Sequence, residues 1–153
     1  MRIRLIAAGL LAVLTLALAL ATSGRARSNR VHTCSATDRQ FIETARTNMT
    51  ALELWSEQYQ SGDATGKDVE SQARAAAKIM RGTGPTDYSL QQTRRLVTGM
   101  LSEYAKAVQL QERHRDAGPN VYRAYRLANF AHTTLVRAHN PLAQLGCDVS
   151  PLL

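Results

Sequence analysis

The chain has 153 residues, a net charge of +7 from 19 basic and 12 acidic side chains, and 5% aromatic residues. That length fits one domain. An alanine- and arginine-rich composition without β-branched runs points to helices, and basic residues scattered along the chain among few aromatics argue against a nucleic-acid surface.

The first segment reads as a targeting signal. Arg2 and Arg4 precede an apolar run, Leu5 to Ala21, broken only by Gly9 and Thr15. Ala19-Leu20-Ala21 then offers small residues where a signal peptidase reads them. Residues 1–21 are therefore expected to be a signal peptide, with a second cleavage site after Ala26. The competing reading keeps the run as a membrane anchor, stopped by Arg25, Arg27 and Arg30; only in that case is a membrane a partner. Both readings place the domain outside the cytoplasm, secreted or in the cell envelope. Cleavage after Ala21 removes two arginines and leaves a net charge of +5. Residues 22–33 read as a polar, flexible leader.

Outside the cytoplasm the only two cysteines, Cys34 and Cys147, are expected to form one disulfide. It brackets the predicted domain, residues 34–147.

The first helix is expected to begin just after Cys34, where Ser35 and Asp38 stand three apart, as in a capping box with a shortened acid. Phe41, Ala45, Met49, Leu52, Trp55 and Tyr59 form its apolar stripe, widened by Ile42 and Leu54. Ser61-Gly62-Asp63 ends it. The second helix starts near Thr65 or Lys67 and shows Val69, Ala73, Ala76 and Met80 on one face. Gly82-Thr83-Gly84-Pro85 stops it. The third runs from Thr86 or Asp87 to Asp116, with Leu90, Val97, Tyr104, Leu101 and Val108 inward. Gly99 in its middle predicts a close helix crossing.

The fourth helix opens with Asn120 as N-cap. Val121, Tyr125, Ala128, His132, Leu135, His139 and Leu142 follow at helical spacing, broadened by Leu127, Phe130 and Ala131. Pro141 is expected to break the helix, with Asn140 capping a short new turn. Residues 148–153 read as a tail held only near Cys147. Four helices joined by short loops predict an all-α, antiparallel up-down four-helix bundle, which brings both cysteines to one pole. The stretch Val121-Tyr122-Arg123-Ala124-Tyr125-Arg126-Leu127-Ala128-Asn129-Phe130-Ala131-His132, with Gly146-Cys147-Asp148-Val149, resembles small secreted helical proteins common in actinobacteria. The resemblance implies export and a helical fold; it carries no activity and assigns no site residue.

Motifs for chemistry are sparse. His132 and His139 lie about 10 Å apart along a helix, too far to hold one metal ion by themselves. No catalytic triad order, phosphate loop or Glu-x-x-His pair occurs, and no cofactor is expected. The leading reading is a non-catalytic exported module binding an anionic envelope polymer or a protein partner. A second is a small-ligand or haem carrier using Tyr125, His132 and His139. A third is a small helical enzyme whose arginine-lined pocket draws on Arg46, Arg74, Lys78, Arg81 and Glu103.

Overall fold

A computed structural model describes residues 33–153. The expected signal peptide and most of the leader lie outside the described residues. Four helices follow in order: α1 Ala36–Ser61, α2 Gly66–Gly82, α3 Tyr88–Glu112 and α4 Gly118–Gln144, then a 3-10 turn, Ser150–Leu152. They form the expected up-down bundle. Helix α1 packs on α2, α2 on α3 and α3 on α4, while the 3-10 turn packs on both α1 and α4. Among the described residues no helix is long and apolar enough to cross a membrane.

Local chemistry sets most of the boundaries. Ser35 caps α1 by accepting from the Asp38 amide at 3.0 Å. Gly62, with φ of 90°, ends the helix in the left-handed region where a Cβ is costly. Thr65 and Asp68 form a reciprocal capping box at the start of α2. The end of α2 is capped from outside: Arg94 on α3 donates to the carbonyls of Arg81 and Thr83, at 3.2 and 2.6 Å. Those carbonyls have no partner within their own helix. Asp87 caps α3 through the amides of Ser89 and Leu90.

The last two helices depart from expectation. Helix α3 ends at Glu112, one turn earlier than Asp116, because His114 turns left-handed at φ 53° and the Arg115 amide reaches back to Leu110 O. Helix α4 starts at Gly118, so Asn120 is inside it and buried rather than capping it. Its amide instead donates to Glu103 Oε2 at 2.6 Å, clasping α3. Pro141 does not break α4, which runs on to Gln144. A proline removes one backbone bond and crowds the preceding turn; here that cost falls at the frayed end of the helix.

The expected inward faces hold for α2 and most of α1. Leu54, however, is 53% exposed and widens nothing. On α4 the period is right but the phase is turned. The buried line is Ala124, Ala131, Leu135, Ala138 and Leu142, while Phe130 is 50% exposed. Small residues face inward because α3 and α4 run close. An added Cβ on Gly99 would stand 3.2 Å from Leu127 Cδ1, the close crossing its glycine predicts.

The pole where the chain enters and leaves is tied several ways. Cys34 and Cys147 are disulfide-bonded with Cα atoms 5.1 Å apart, and both are buried. The Cys34 amide donates to Leu145 O at 2.6 Å. The C-terminal segment is not a loose tail: Val149 is fully buried, and Leu152 and Leu153 pack on the core. Burying these apolar side chains is what holds it down.

Candidate functional site

The helix pairs in closest contact are α1–α2, α2–α3 and α3–α4, whereas α1 and α4 are joined at this pole through the disulfide and the 3-10 turn. The seam between them is a cleft of about 90 Å³. Ala45 and Met49 of α1 form one wall, and Thr93, Val97 and Met100 of α3 form the floor. Tyr125, Ala128, Ala131, His132 and Leu135 of α4 form the other wall, and Pro151 and Leu152 shut the end. Only Thr93, Tyr125 and His132 bring polar atoms to a lining that is otherwise apolar.

Sequence expectations meet this cleft unevenly. Tyr125 and His132, seven residues apart, do share one face and line it. Tyr125 is 39% exposed and stands at the mouth. His139 lies beyond the closed end. Its ring nitrogens contact Asn140 Oδ1 at 3.3 Å and Ser150 Oγ at 3.2 Å. It thereby holds the 3-10 turn whose Pro151 and Leu152 end the cleft. Thr93 was not singled out by sequence; the available signal was one hydroxyl in the apolar series Leu90, Thr93, Val97 and Met100.

The basic residues of the enzyme reading do not converge. Arg46 pairs with Glu43 at 2.6 Å on the surface of α1, and Arg74 with Glu70 at 2.8 Å on α2. Glu103 is engaged by Asn120 and Arg123 across the α3–α4 seam. Among the described residues no three His, Cys, Asp or Glu side chains gather as metal ligands.

Two further groups have structural settings. Tyr104 contacts Ser56 Oγ at 3.0 Å, and that hydroxyl donates to Leu52 O. Burial pushes the Tyr104 pKa up, partly offset by the Ser56 contact. On the outer face of α4, Arg126 lies 5.9 Å from the Tyr122 ring centroid and 5.6 Å from that of Phe130. Both rings are half or more exposed.

No protein-family model, curated protein or solved structure matches the chain.

Proposed function

We propose that the domain is a non-catalytic, exported binding module that takes a small, mainly apolar ligand into the α1–α4 cleft. The observation carrying this reading is the unpacked seam itself. A bundle that buries α1 on α2 and α4 on α3, yet leaves apolar side chains of α1 and α4 facing a gap, forgoes contacts a filled core would make. Enclosed apolar cavities stay dry and accept compact apolar molecules, and this cleft offers a mainly apolar lining that is open at its mouth. Pockets for drug-sized ligands run to roughly 300–1,000 Å³. At about 90 Å³ the cleft suits a single ring or short branched chain, with part of it at the mouth. Haem is far too large for it. The disulfide supports an oxidising compartment, as the export reading requires.

Toluene titration tests the reading. Wild type is expected to bind it saturably, with Kd on the order of 1 mM or below for so small a ligand. Ala128→Trp, which fills the half-buried α4 wall, is expected to abolish binding while circular dichroism stays helical. Unsaturable partitioning, the same in both proteins, would refute the cleft as a site.

A second reading, docking of an anionic envelope polymer or a protein, is favoured by the exposed Tyr122–Arg126–Phe130 stripe. Charge and aromatic faces together suit such a contact. Retention on a polyuronate column that falls with salt and is weakened by Arg126→Ala supports it. Equal retention of wild type and variant counts against it.

A further inference from the structure

We infer that the ligand of the α1–α4 cleft carries one hydrogen-bonding group on its apolar body, and that it enters with that group leading, to meet the hydroxyl of Thr93. The inference rests on the cleft reading above and adds the ligand's chemical class and orientation. Thr93 lies on the cleft floor, is 1% exposed, and its Oγ1 has no hydrogen-bond partner. An unpaired buried hydroxyl is costly, so native proteins rarely leave one without a purpose.

Four other helical hydroxyls show that the cost is avoidable. Ser56, Ser102, Thr133 and Thr134 each donate to the carbonyl four residues back, all at 2.8 Å. Thr93 makes no such bond. Thr98 Oγ1 is likewise buried and without a partner, but Thr98 does not line the cleft. A threonine in a helix has two accessible side-chain rotamers. A change of rotamer, about 120° about χ1, therefore presents the hydroxyl to an arriving oxygen without moving the backbone. Val97, Met100 and Leu135 of the floor and walls are apolar, and apart from Thr93 only Tyr125 and His132 bring polar atoms to the cleft. Met49 and Met100 are flexible enough to close around rings of slightly different shape. The matching ligands are phenols, small alcohols or small ketones. A hydrocarbon of the same size fits the space but leaves Thr93 unpaired.

Phenol and toluene, close in size, with a hydroxyl on the one where the other has a methyl, separate the two claims. Dissociation constants of both are measured for wild type, Thr93→Val and Thr93→Ser. Valine keeps the shape and removes the hydroxyl; serine keeps the hydroxyl. Thr93→Val is expected to weaken phenol about tenfold, the scale of one buried hydrogen bond. Toluene should hold or tighten, and Thr93→Ser should retain the phenol preference. If Thr93→Val changes the two ligands by the same factor, or changes neither, the inference is overturned. The cleft reading then survives on the toluene result. If wild type binds neither ligand, both fail together.

Discussion

Replacing both cysteines, by Cys34→Ser with Cys147→Ser, is expected to lower the free energy of unfolding by about 4–5 kcal/mol. The bond joins residues 113 apart in sequence. On the chain-entropy account, cross-linking so long a loop restricts the unfolded ensemble by roughly that amount. Against a total of roughly 5–15 kcal/mol for a domain, the loss is large. It should lower Tm by on the order of 15 °C. The architecture sharpens the expectation. The disulfide, the Cys34–Leu145 backbone bond and the 3-10 turn together tie α1 to α4 at this pole. Urea unfolding of the double variant measures the loss. A change below about 1 kcal/mol would mean that the turn and the backbone bond suffice.

Removing the Asp38 carboxylate is expected to be nearly as damaging, and its effect should depend on pH. Asp38 is buried at the start of α1, yet its partners lie at the start of α3. Oδ1 accepts from the amides of Thr86 and Asp87, at 2.6 and 3.1 Å. Oδ2 accepts from the hydroxyls of Ser35 and Thr86, at 2.6 and 2.8 Å. One negative charge thus serves two helix N-termini, where the backbone dipoles favour it. Asp38→Ala orphans two amides and is expected to cost about 3 kcal/mol; Asp38→Asn, which keeps one acceptor, about half that.

Burial pushes the Asp38 pKa up, but the Ser35 hydroxyl, the Asp87 amide and the two Thr86 donors outweigh it and hold it below the ordinary 3.8. A carboxylate with a depressed folded pKa stabilises fully above its unfolded value, and that stabilisation is lost as pH falls through the folded value. The stability difference between wild type and Asp38→Asn should therefore be flat above about pH 5 and shrink towards pH 2. A difference that does not change with pH would show that the carboxylate is not the group responsible.

The fold was legible because its punctuation is local. Ser35, Gly62, the Gly-Pro pairs and the helical spacing of Phe41 to Tyr59 act within a few residues of themselves. What failed was facing. On α4 the large residues Val121, Tyr125 and Phe130 suggested the inward stripe, but the buried line is Ala124, Ala131, Leu135, Ala138 and Leu142, while Leu127 fills the space that Gly99 leaves. Asp38 looked like a purely local partner of Ser35 because its other partners are 48 and 49 residues away. Asn120 likewise looked like a cap until α3 supplied Glu103.

The site was half legible. The spacing of Tyr125 and His132 placed them on one face. Nothing in the spacing reveals a cleft between α1 and α4, since that depends on how helices distant in sequence come together. His139 contacts Ser150 only after the chain has turned at Gly146. Thr93 needed the count of helical hydroxyl bonds before it stood out.

The central claim is that the α1–α4 cleft, and no other part of the core, takes up a small apolar molecule. Methionine methyl resonances test it most directly, because Met49 and Met100 line the cleft whereas Met80 is buried in the core away from it. Titrating toluene into protein labelled at the methionine methyls should move Met49 and Met100 along one saturation curve and leave Met80 in place. Three methyls that stay still, or a Met80 that moves with the others, would contradict it.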